Sequence, residues 1–224
     1  MNFIDIRNNN LNKLSELGFR VASSLPVSSG SDLRGYKEIA SRLYALDAVV
    51  CWVVFSEEQT SSDRIKSYVE KNQLNEYMTQ EELGIISLPR AEANEQYLNT
   101  IGWRLENMWA LSWVLGFDIE PLVNIGQLPN EVTKAMIYEF MPGLDSVVDD
   151  LLASDKARSL EEIIALEDLY YCAHNAVRSA QLGGATVPEN YDPVSDGGAV
   201  HERRHSLTWC LSPNENWEET DLST

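Results

Sequence analysis

The chain has 224 residues, 44% of them apolar, which is ample for a sizeable core in one large domain. Asp and Glu outnumber Lys and Arg by 35 to 17, giving a formal charge of −18. Nucleic acid and anionic membranes are polyanions that this charge repels, so neither is expected as a partner, whereas a basic protein is attracted. The same acidic excess also serves solubility.

Cys51, Cys172 and Cys210 are odd in number, widely spaced and set among apolar neighbours, and nothing in that pattern suggests a disulfide framework or a cysteine zinc site. The opening stretch MNFIDIRNNN has no apolar segment behind a basic start, and the longest uninterrupted apolar run, residues 48–55, is short. The expectation is a cytoplasmic protein without a cleaved leader. No dinucleotide fingerprint, repeat or low-complexity run is present, and no cofactor is expected.

In chain order, Ile4, Leu11, Leu14 and Leu17 recur at helical spacing and Gly18 follows as a stop, predicting a helix over 4–17. Ser23-Ser24-Leu25-Pro26 and Ser28-Ser29-Gly30-Ser31 form a connection. Asp32 is placed to cap a long helix over 33–55, with Tyr36, Ile39, Ala40, Leu43, Leu46 and Val50 every three or four residues. The β-branched run 48–55 leaves a strand open as the alternative there. A short amphipathic helix is predicted over 62–71. Thr79 and Glu82 have the capping-box spacing that opens another, ended by Leu88-Pro89.

The segment from about 92 to 115 predicts the central helix. Ile101, Leu105, Met108, Leu111, Leu115, Trp103, Trp109 and Trp113 leave no polar side, so other elements must enclose it. Gly116 supplies its stop. A loop over 117–129 leads to helices over 130–140 and 145–153. Ser159 and Glu162 form a second capping box, opening a helix to about 182. Residues 183–198, with Pro188, Pro193 and two glycine pairs, read as a surface loop before a last helix over 199–211. The acidic tail, 212–224, holds Trp217, which either folds back on the last helix or marks a contact for a partner. The class is all-α: one compact domain, 1–224, of about eight helices around the buried helix at about 92–115.

Three of these helices carry charges among apolar residues: Glu38 and Arg42, then Arg104 and Glu106, then Glu202, Arg203 and Arg204. Glu38 and Arg42, four apart, can pair locally. One reading is a buried network that fixes packing through the arginine fork. The other is a polar pocket in which Glu38, Arg42, Arg104, Glu106, Glu202 and Arg203 hold a small polar ligand, with crowded carboxylates as acid and base.

His201-Glu202-Arg203-Arg204-His205 spells H-E-x-x-H, which on a helix places two imidazoles on one face for a zinc ion. Two arginines between the ligands set cations beside a dication, and no histidine follows to complete the set. His201 and His205 therefore remain metal candidates only as a string, and the expectation is no metal. His174 reads as a hydrogen-bonded core or boundary histidine.

Leu25-Pro26, Leu33-Arg34, Glu38-Ile39-Ala40, Arg42, Ala45-Leu46, Trp103-Arg104, Glu106, Leu111-Ser112-Trp113 and Leu115-Gly116 recur in one known pattern. So do Glu162-Ile163, Asp168-Leu169, Glu202-Arg203-Arg204, Leu207, Trp209 and Trp217. With these residues the chain resembles the DUF4272 family of uncharacterised bacterial proteins. It departs from that pattern at Cys172 and Asn175, where an arginine and a tryptophan are common. The resemblance implies no assigned activity and no assigned catalytic role for the recurring charges. The functional expectation is a non-enzymatic protein that binds a basic protein through its acidic surface, as an antidote or regulatory subunit would. The alternative is a small-molecule-binding or hydrolytic enzyme using the Glu/Arg cluster, or a zinc hydrolase through His201, Glu202 and His205.

Overall fold

Helical periodicity accounts for the principal elements, and among the described residues no strand forms. The structure, a computed structural model, describes residues 2–27, 30–154 and 156–224. Ser28 and Ser29 of the expected connection lie outside the described residues. The helices are α1 (Phe3–Glu16), α2 (Tyr36–Val54), α3 (Ser62–Lys71), α4 (Gln80–Ser87), α5 (Arg90–Tyr97), α6 (Gly102–Val114), α7 (Asn130–Ala135), α8 (Val148–Leu152), α9 (Leu160–Gln181) and α10 (Ser195–Cys210). None is long and apolar enough to cross a membrane. The chain divides into two compact units, one of Met1–Arg34, Glu120–Leu128 and Arg158–Thr224, the other of Gly35–Ile119 and Pro129–Ala157.

The first unit is built on α9, which packs against both α1 and α10. The Ser159 capping box forms as its spacing requires: the Glu162 amide donates to Ser159 Oγ, and the Ser159 amide to Glu162 Oε2 at 2.8 Å. α10 begins at Ser195, earlier than the expected 199, because Asp192 Oδ1 accepts from the amides of Val194 and Ser195 at 2.7 and 2.9 Å. Gly197, read as a loop residue, lies inside this helix. A Cβ there would stand 2.6 Å from Val177 Cγ1, so the missing side chain is what lets α10 approach α9. The tail folds back onto α10, with the Trp217 ring 4.4 Å from His205 and 5.1 Å from Trp209 between centroids.

In the second unit α2 is the element the others surround. It is buried from Ile39 to Val53 and touches α3, α4, α5, α6 and α8. The β-branched stretch after Ala48 is helical, since burial on every side suits a helix whose backbone groups are all satisfied internally. The helix expected over 92–115 is broken in two. Thr100 and Ile101 both turn their amides back to the Tyr97 carbonyl, at 2.9 and 2.8 Å, and Gly102, a poor helix former, restarts the chain as α6. α6 is then enclosed from Glu106 to Val114, as its all-round apolar pattern requires. The helix expected over 130–140 is α-helical only to Ala135. Met136–Phe140 widens into a π turn, closed by the Met141 amide on the Met136 carbonyl at 2.9 Å.

Candidate functional site

Arginine chemistry explains most of the buried charge. A guanidinium has five donors in a rigid fork, so one buried arginine can satisfy several orphan carbonyls of a loop or helix end. In the first unit Arg7 grips Asp168, with Nη2 2.7 Å from Oδ1, and donates to the Leu25 and Pro26 carbonyls at 3.0 and 2.8 Å. Arg34 lies 4.0 Å over the Trp209 ring and holds the Ser212 and Glu215 carbonyls. Arg203 donates to the carbonyls of Leu122 and Gly126 at 2.7 and 2.6 Å, fixing that segment to α10. Arg204 donates to the carbonyl of Leu222 at 2.8 Å and reaches His174 Nδ1 at 2.6 Å.

In the second unit Arg42 and Glu82 meet fork to fork, at 2.6 and 2.8 Å, and Arg42 also donates to the Tyr77 carbonyl. Arg104 joins Glu81 at 2.6 Å and lies 3.4 Å from Glu82. Burial pushes the Glu82 carboxyl up, but the Arg42 charge and hydrogen bonds, helped by the Thr79 amide and Arg104, leave it below the usual range. The bidentate partner of Arg42 is thus Glu82, a residue the sequence marks only as a capping acid. Arg90 does the same work at the end of α2, donating to the carbonyls of Cys51, Phe55 and Thr60. Of the residues named from sequence as pocket candidates, Glu38, Arg42, Arg104 and Glu106 belong to the second unit, and Glu202 and Arg203 to the first. Glu106 is buried, and Glu38 and Glu202 are half-buried.

His201 and His205 lie one turn apart on α10, both half-buried. His205 Nε2 is 2.8 Å from the Trp217 carbonyl, and the His201 ring meets His174 edge-on at 5.3 Å. Among the described residues no group of three or more His, Cys, Asp or Glu side chains is arranged to hold a metal ion. His174 is buried and its pKa is lowered to about 3, first by burial and then by the Arg204 charge, so it stands neutral opposite Arg204.

A different kind of site lies in the second unit. Asp47, Val50, Cys51 and Val54 recur at three- and four-residue spacing along one face of α2. Asn130, Thr133 and Lys134 do the same on α7, and the π turn continues that wall with Ile137 and Tyr138. With Leu105 of α6 these faces enclose a cavity of about 300 Å³, apolar over most of its lining. Tyr138 and Val54, 69% and 42% exposed, stand at its rim.

Asp47 is the polar group of consequence there. It is 4% exposed and forms no ion pair among the described residues, its neighbours being the Cys51 thiol 3.8 Å away and the Tyr68 hydroxyl. Burial raises its pKa to about 6, against the opposing effect of those two donors. The Tyr68 ring is held by stacking on Tyr44 at 5.2 Å, and Tyr44 in turn by Ser146 at 3.0 Å. Sequence reasoning passed over Asp47. The signal was present, a single acid in the run ALDAVVCWVVF with no basic residue one turn away on either side.

The family model described as a domain of unknown function, DUF4272, matches residues 7–220. No curated protein and no solved structure matches the chain.

Proposed function

We propose that this chain, which belongs to the DUF4272 family, binds a small and largely apolar molecule in the cavity between α2 and α7. The observation that carries the reading is Asp47: a buried carboxyl with no cationic partner among the described residues, placed on the wall of a cavity that is apolar over most of its lining. Burying such a group costs free energy that packing alone does not require, and ligand sites are where apolar walls and a few convergent polar groups occur together. The π turn supports the same assignment, because these turns sit frequently at functional sites. Val54→Trp, at the last residue of α2, closes the mouth without touching the core. The test is amide chemical shifts with benzyl alcohol as probe. Saturable shifts on α2 and α7 that Val54→Trp abolishes are expected, and absence of any saturable shift with benzyl alcohol and with its amine and carboxylate analogues, benzylamine and benzoate, overturns the reading.

A second reading is a non-enzymatic cytoplasmic protein whose acidic surface takes a basic protein partner. It is supported by the charge of −18. Partners isolated at low salt and at about 0.5 M salt decide it, since screening at the higher salt weakens surface attraction. Without a salt-sensitive partner the charge-driven reading fails.

A further inference from the structure

From the chemistry of the cavity in the second unit we infer that its ligand is a small amine, protonated at neutral pH and carrying an apolar body; this rests on the reading that the cavity is a ligand site. The body is assigned by the walls: Val50, Val54, Leu105 and Ile137 offer dispersion contact and no donors or acceptors from their side chains. The head is assigned by Asp47. An ammonium beside it supplies the cation that the fold leaves out, so that two charges that are each costly to bury alone are buried as a pair. A carboxylate ligand would set like charges together in low dielectric, and a neutral head would leave the ionised form of Asp47 uncompensated.

The groups around Asp47 fit this order. On α2 itself stands Cys51, whose thiol is pushed up by burial and by Asp47 and remains neutral. From α3 comes Tyr68, raised well above the usual phenol range by burial, also neutral. Tyr44 of α2 is pushed up to about 12, again chiefly by burial. Among the described residues Lys134 of α7 is the one basic side chain on the cavity wall; it is exposed and forms no ion pair with Asp47. These neighbours are neutral, and none of them gives the Asp47 carboxylate a counter-charge.

The experiment compares benzylamine, benzyl alcohol and benzoate, which share one apolar body and differ in the head, by titration calorimetry on the intact chain at pH 7.5. Benzylamine is expected to bind at least about tenfold more tightly than the other two, a factor worth about 1.4 kcal/mol. Asp47→Asn is expected to remove that preference and leave benzyl alcohol within about twofold. In the wild type, amine affinity should rise as pH increases through about 6, where Asp47 ionises, and this arm needs no variant to fold. Benzyl alcohol binding as tightly as benzylamine, or an amine preference that survives Asp47→Asn, overturns the inference and leaves the cavity reading standing. Binding of none of the three, with Val54→Trp indistinguishable from wild type, overturns both.

Discussion

Both carboxylate oxygens of Glu82 meet the Arg42 guanidinium, Nη1 to Oε2 at 2.6 Å and Nη2 to Oε1 at 2.8 Å, and neither side chain is more than 1% exposed. Glu82 also caps α4 by accepting from the Thr79 amide at 2.9 Å. Removing one partner leaves a buried charge without its counterion. Glu82→Gln is expected to cost about 3–5 kcal/mol in urea unfolding at pH 7. The double variant Arg42→Met with Glu82→Leu removes both charges and should lie closer to wild type than the single variant. It still loses the cap, about 1 kcal/mol. Equal loss in the single and double variants would show that packing volume, and not charge pairing, sets the cost.

Two buried groups make opposite contributions to the pH dependence of stability. Asp47 has a folded pKa raised from 3.8 to about 6, so between those values the folded state binds the extra proton. Its contribution to stability therefore falls as pH rises from about 4 to about 6, by about 3 kcal/mol at most. Asp47→Asn should stabilise the protein above pH 7 and have little charge-related effect below pH 4. His174 runs the other way. Its folded pKa is lowered from 6.5 to about 3, so the unfolded state takes up the proton first and stability is lost as pH falls below about 6.5. His174→Gln should flatten the acid limb of the stability curve. Chemical denaturation of both variants from pH 4 to pH 8 checks both signs.

Trp217 anchors the tail through its ring contacts with His205 and Trp209 and through its own carbonyl, 2.8 Å from His205 Nε2. Trp217→Ala is expected to cost about 1–3 kcal/mol, since two aromatic contacts are lost. The more specific consequence is local: residues 212–224 should become the first site of protease cleavage, while α9 keeps its amide protection. His205→Ala should weaken the same anchor and give the same cleavage pattern more mildly. Unchanged cleavage in Trp217→Ala would assign the hold on the tail to the Leu222 carbonyl on Arg204 instead.

Local chemistry was legible along the chain. The capping boxes at Thr79 and Ser159 form as their spacing predicts, and α3 occupies the expected 62–71. Such features depend on residues three or four apart, whose meeting a helix guarantees. The break between α5 and α6 leaves only weak signals, Asn99 and Thr100 just before the apolar pattern of residues 101–115 and Gly102 inside it. The glycine pair at 197–198 was read as a breaker, because close approach between two helices leaves no trace in either one's own sequence.

The all-helical class, the principal helices and the burial of charged side chains follow from local pattern, since periodicity and caps are local and an enclosed helix must carry its charges inward. Tertiary structure alone decided which charges meet. Arg42 finds Glu82 forty residues away, Arg7 finds Asp168 across most of the chain, and Asp47 finds no cation among the described residues. Pairing of buried charges is settled by three-dimensional proximity and by desolvation, neither of which a linear pattern encodes. The cavity beside Asp47 belongs to the same category, because a void is made by how separate helices fail to fill the space between them.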